Sequence, residues 1–249
     1  MSGHSKWSTI KRKKGALDAK RGKIFTKIAR DIQVAARMGG GDPAGNPALR
    51  LALNAAKAAN MPKDNQDRAI KKGLGELGDA ALDEVVYEGR GPQGSSFMVE
   101  VMTDNRNRTV AEIRSVFTKG GGELGSDGSA AWMFDRLGVV TIVKERIDED
   151  ALTERVLELG AEDVRDGGEE WVVLCEPTSF AAVSTGLEDL EPSSAQLQYL
   201  PKPESTLTLS GDAAVSVAKF WSKLDELDDV QNVFTNVELP DEVMEEHGP

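Results

Sequence analysis

A chain of 249 residues, 39% hydrophobic, 29% charged and 5% aromatic, is long enough for two or three domains with modest cores. Cys175 is the single cysteine, which excludes an intramolecular disulfide and a cysteine-based zinc cage, and no stretch is long and apolar enough to span a bilayer. The net charge of −12 hides a division: Met1–Lys72 carries 17 Lys and Arg against 5 Asp and Glu, or +12, which leaves 13 and 37, or −24, for the rest.

In chain order, residues 1–23 hold few large apolar residues besides Trp7, Ile10 and Leu17, and read as a mobile basic arm that cannot bury enough surface to order itself. Ile24, Ile28 and Ile32 then fall at i, i+4 and i+8, beside Phe25 and Ala29, and predict a helix that Gly39-Gly40-Gly41-Asp42-Pro43 ends. Asn46-Pro47 supplies an N-cap and a first-turn proline for a second helix with Leu49, Ala52, Leu53, Ala56 and Ala59 on its apolar face. A third short helix runs to Lys72 and stops at Gly73, which closes a small helical domain with a thin, Ala-rich core.

After Gly73, Gly75 and Gly78 the period changes. Phe97, Val99 and Val101 alternate as a strand, Val110, Ile113 and Phe117 make a helix face, and Ala131–Phe134 reads as a second strand. Gly89–Gly94 reads as a turn between strands, since Pro92 spoils any dinucleotide-binding glycine motif. From Val139 the order strand, helix, strand, strand, helix, strand runs to Leu200, the ferredoxin-like pattern. Leu207 and Leu209, a helix capped by Asp212, and Val230–Val237 then supply elements that complete the unit left open at Phe134. The expected fold class is α+β and multidomain: a small N-terminal helical domain, then two ferredoxin-like α/β domains, one inserted into the other. The expected boundaries are 1–78 for the basic arm and helical domain, 79–136 with 204–240 for the split domain, 137–203 for the inserted domain, and 241–249 for an acidic tail.

Catalytic constellations are scarce. His4 and His247 lack metal-ligand company, no Walker-type phosphate-binding loop is present, and Cys175 sits in an apolar run that predicts an inert core thiol. Asp148-Glu149-Asp150, Glu169-Glu170, Glu188-Asp189 and Asp228-Asp229 read as solvated caps and turns. No enzyme activity, cofactor or metal is expected. The informative residues are the clustered cations Lys6, Lys11, Arg12, Lys13, Lys14, Lys20, Arg21, Lys23, Lys27 and Arg30, which are the expected nucleic-acid-binding set. Their Lys-rich, flexible character suits phosphate contact, and no helix presents the Asn, Gln and Arg of a base reader.

Gly3–Lys11, Arg21–Lys27, Asn60–Asn65, Tyr87-Glu88-Gly89, Thr103–Thr109, and Gly125-Ser126 followed by Trp132–Asp135 closely resemble words of the YebC/PmpR family, and the match runs nearly end to end. The resemblance implies a helical N-terminal domain and two α/β domains, one inserted in the other. It implies no catalytic residues. Family members are described as DNA-binding transcriptional regulators, mitochondrial relatives as translational activators, and bacterial members are linked to relief of ribosome stalling at proline-rich stretches. The functional expectation is a non-enzymatic, cytoplasmic regulator of gene expression. A ribosome-associated translation factor binding ribosomal RNA is favoured, with ribosomal proteins as further partners; a DNA-binding transcriptional regulator is the alternative. No membrane or small-molecule substrate is expected.

Overall fold

The computed structural model describes residues 21–78 and 82–249. The first unit is three helices: α1 (Arg21–Gly39), α2 (Pro47–Ala58) and α3 (Lys63–Gly73). Their apolar faces close on Ile28, Ile32, Leu49, Ala52, Ala56, Met61 and Ala69, the thin core that the spacing predicts. Buried Asn46 ties the corner. Its Oδ1 accepts from Leu49 N–H at 3.1 Å as the cap of α2, and its Nδ2 donates to the carbonyls of Ala35 at 2.8 Å and Gly40 at 2.9 Å. Gly73 lets α3 approach α1, for a Cβ there would lie 2.3 Å from the Gln33 carbonyl oxygen.

Two four-stranded antiparallel sheets follow. β1 (Asp83–Arg90) and β2 (Ser96–Thr103) form a hairpin, and α4 (Arg106–Lys119) leads to the short β3 (Glu123–Leu124). The chain then builds the second sheet: β4 (Phe134–Val143), α5 (Glu149–Glu158), β5 (Ala161–Asp166), β6 (Glu170–Cys175), α6 (Phe180–Gly186) and β7 (Ser194–Pro201). It returns through β8 (Leu207–Thr208) and α7 (Gly211–Asp225) to β9 (Val230–Thr235), β10 (Val237–Glu238) and α8 (Asp241–His247). Spatial orders are β3-β1-β2-β9 and β5-β6-β4-β7, with β8 and β10 pairing apart. The second is the expected ferredoxin-like order. In the first, β9 comes from beyond the second sheet, so one α/β unit interrupts the other.

Alternation on β2 aims Phe97, Val99 and Val101 at α4 and α7, where they meet Ile113, Phe117, Val217, Phe220, Trp221 and Leu224. Phe97, Phe117 and Phe220 pack edge to face, with ring centroids 5.0–6.4 Å apart. The opposite face, with Met98 and Phe234, packs on Phe134 and Tyr199 of the second unit. The second core joins Val140, Ile142, Trp171 and Val173 to Leu152, Val156 and Val183.

Three local expectations change. Ala131–Met133 is a 3-10 turn rather than a strand, and β4 runs unbroken from Phe134 to Val143. The reason is Glu88, whose buried carboxylate accepts the N–H groups of Gly128, Ala130 and Ala131 at 2.7–2.8 Å and removes them from any ladder. Burial works to raise the Glu88 carboxyl pKa, but these three amides outweigh it and hold the value below the ordinary one. Ser210, not Asp212, takes the cap position of α7. The acidic 241–249 segment folds as α8 and buries Met244 in the first core. Cys175 is fully buried, and burial, with help from Glu162 and Glu176, pushes its thiol up to about 11. Among the described residues no helix is long and apolar enough to cross a membrane.

Candidate nucleic-acid interface

Of the cations singled out in the sequence, Lys6, Lys11, Arg12, Lys13, Lys14 and Lys20 lie outside the described residues. Arg21 opens α1. Lys23, Lys27 and Arg30 follow at i, i+4 and i+7 and share one face of that helix. That face rests against the acidic body. Lys27 Nζ meets Asp225 Oδ1 at 2.8 Å, and Arg30 Nη2 meets Asp229 Oδ1 at 2.7 Å. Arg30 Nη1 also donates to the Asp228 carbonyl. Gln231 Nε2 donates to the Lys27 carbonyl at 3.0 Å and to Asp31 Oδ1 at 3.1 Å.

Asp229 organises the junction. Its side chain is 3% exposed, and the Oδ2 that faces away from Arg30 accepts from Thr103 Oγ1 at 3.0 Å, Thr109 Oγ1 at 2.6 Å and Arg108 Nη2 at 2.8 Å. Asn105 caps α4 by accepting from Arg108 N–H at 3.1 Å, which sets the helix turn that carries Arg108 and Thr109. Burial alone would raise the Asp229 carboxyl pKa. The bonds from Thr109, Arg108 and Thr103 and the Arg30 charge overcome it, and the net direction is downward, so the group is ionised. Asp229 is thus a buried structural anion, not the solvated turn residue its sequence context suggests.

Beside this junction a groove of about 570 Å³ opens between α1, α3 and the start of α4. Arg30, Arg68, Lys72 and Arg108 line it against one acidic residue, Asp104, and its mouth reaches Gly22 and Phe25 at the start of α1. The first turns of α1 therefore border a cationic groove. Arg68, Lys72 and Arg108 lie outside the cation cluster that the sequence singles out. Arg108 lies in the Thr103–Thr109 word, and Arg68 and Lys72 lie four residues apart on α3, so only the folding of α3 beside α1 brings them to Arg30.

Two of the other acidic clusters do structural work. Asp148 caps α5 by accepting from Ala151 N–H at 2.9 Å. Glu188 pairs with Arg50 Nη2 at 2.9 Å, and Asp189 with Arg155. Among the described residues no group of three or more His, Cys, Asp or Glu is placed to hold a metal ion.

Residues 5–76 match the TACO1/YebC protein N-terminal domain, and residues 82–237 match the TACO1/YebC second and third domain. Curated relatives include a probable transcriptional regulatory protein of Desulforapulum autotrophicum, 52% identical over 243 residues and 98% of each chain. Another from Syntrophus aciditrophicus is 53% identical over 246 residues, again 98% of each. The crystal structure of a conserved hypothetical protein from Aquifex aeolicus, 44% identical, superposes with a TM-score of 0.81 over 94% of this chain and 97% of that one. With both matched regions in order and the same three-part architecture, the chain belongs to the TACO1/YebC family.

Proposed function

We propose that this protein is a non-enzymatic, nucleic-acid-binding regulator of gene expression that works in the cytoplasm as a ribosome-associated translation factor and engages RNA through residues 1–78. The observation that carries the reading is the charge division, +12 in Met1–Lys72 against −24 elsewhere, with the cationic groove beside the first turns of α1. An acidic body is repelled by a long duplex on most of its faces, whereas a folded RNA admits a small basic unit into a confined site and offers basic proteins around it. Ribosomal RNA is the primary partner and ribosomal proteins the secondary ones. No cofactor, metal, membrane or small-molecule substrate enters the reading.

The names of the relatives favour a second reading, a DNA-binding transcriptional regulator using the same surface. Co-sedimentation separates the two. The full chain should travel with ribosomes at low salt, and a chain starting at Gly78 should not. A specific promoter footprint at physiological salt without ribosome association would establish the transcriptional reading instead.

A further inference from the structure

The basic face of α1 already has an anionic partner. Asp225 ends α7, and Asp228 and Asp229 turn the chain into β9. Together they set carboxylate and carbonyl oxygens at spaced positions along the face that carries Lys27 and Arg30. A phosphodiester chain offers the same thing: anionic oxygens at intervals, read by point charges and guanidinium forks.

The rest of this boundary is also polar. Arg37 donates to the Leu82 carbonyl at 2.8 Å, Arg50 pairs with Glu188, and Gln231 bridges to α1. The apolar core of the helical unit closes on itself, and among the described residues Leu51 alone packs into a neighbouring core. The connection between the units passes Gly75 at φ 76° and Gly78 at φ 68°, left-handed positions that glycine adopts without strain. A unit held mainly by charge on such a tether responds to ionic strength, because the screening length falls from about 30 Å at ~0.01 M salt to about 3 Å at ~1 M.

We propose that the Asp225–Asp229 turn is a built-in stand-in for nucleic-acid phosphate: it holds α1 against the body in the free protein, and a phosphodiester chain entering the groove displaces it and releases the helical unit about its glycine tether. The inference rests on the nucleic-acid reading above and adds its regulation. Binding then has to break the closed arrangement first, so weakening that arrangement raises apparent affinity by raising the open fraction.

The test uses the full chain with a dye pair at Met38→Cys and Leu157→Cys, both exposed positions on different units. Buried Cys175 labels slowly beside them. Asp225→Asn removes the Lys27 partner, and exposed Asp212→Asn on the same helix changes net charge equally without touching α1. Without nucleic acid, energy transfer should change between ~0.01 M and ~1 M salt, with the midpoint at lower salt in Asp225→Asn. A labelled oligouridylate should cause the same change and should bind Asp225→Asn about twofold to fivefold tighter than Asp212→Asn, the span a partly exposed ion pair is worth. Energy transfer that salt and oligonucleotide leave unchanged, or equal affinities of the two variants, would overturn the stand-in while leaving the nucleic-acid reading in place. Salt-driven opening with no oligonucleotide binding by any variant would overturn both.

Discussion

Arg30 and Asp229 are 199 residues apart in the chain and meet at 2.7 Å, Nη2 to Oδ1, where the helical unit rests on the first sheet. The same carboxylate holds Thr103, Arg108 and Thr109, so one buried anion links the end of β2, the first turn of α4, the start of β9 and α1. A site that joins four segments through one charge depends on that charge.

Asp229→Asn should therefore destabilise the protein by about 3 kcal/mol, since removing one partner leaves the other charge buried and uncompensated. Denaturant unfolding at neutral pH measures this. The pH dependence has a definite sign. The folded carboxyl is depressed, so its stabilisation is complete above the ordinary Asp value of about 3.9 and is lost as pH falls toward the lower folded value. The gap between wild type and Asp229→Asn should stay constant from neutral pH down to about pH 5 and narrow below about pH 4.

Glu88→Gln should loosen the turn before β4. A carboxylate with two acceptor oxygens serves three amides there, and the neutral amide serves them less well. The expected loss is about 1–3 kcal/mol. Amide hydrogen exchange at Gly128, Ala130 and Ala131 should accelerate. Unchanged protection at these three amides would show that the turn is held by something else.

Gly73→Ala should weaken the helical unit by about 1–3 kcal/mol through overpacking, because the added methyl would meet the Gln33 carbonyl oxygen at 2.3 Å and the Ala36 Cβ at 2.9 Å. Far-UV circular dichroism should show helix lost earlier on heating. The near-UV signals of Trp171 and Trp221, both in the α/β cores, should keep their midpoint if the units melt separately.

Changing Lys11, Arg12, Lys13 and Lys14 together to Ala should flatten the salt dependence of nucleic-acid binding. Each phosphate contact contributes about −0.7 to −0.9 to the log–log slope, so a loss of several contacts is readable directly. An unchanged slope would place the contacts on the groove residues instead of the arm.

Much of the fold was legible because its signals are local. The Ile24, Ile28, Ile32 spacing and the Asn46-Pro47 start placed α1 and α2, for a helix face and a cap are written within a few residues. The strand order from Val139 to Leu200 was legible for the same reason, and so was the division of charge that points to an anionic partner. Only the tertiary structure decided where that charge goes. Nothing near Asp229 announces Thr103, Arg108, Thr109 and Arg30 as its partners, and nothing near Glu88 announces that it will take the amides of Gly128, Ala130 and Ala131 and end a strand before it starts. Arg68, Lys72 and Arg108 join Arg30 in one groove because α3 packs on α1 and α4 begins beside them. Such pairings depend on the meeting of distant loops. A single sequence carries no local signal for them, because the energy of an ion pair appears only when folding brings both charges to one place.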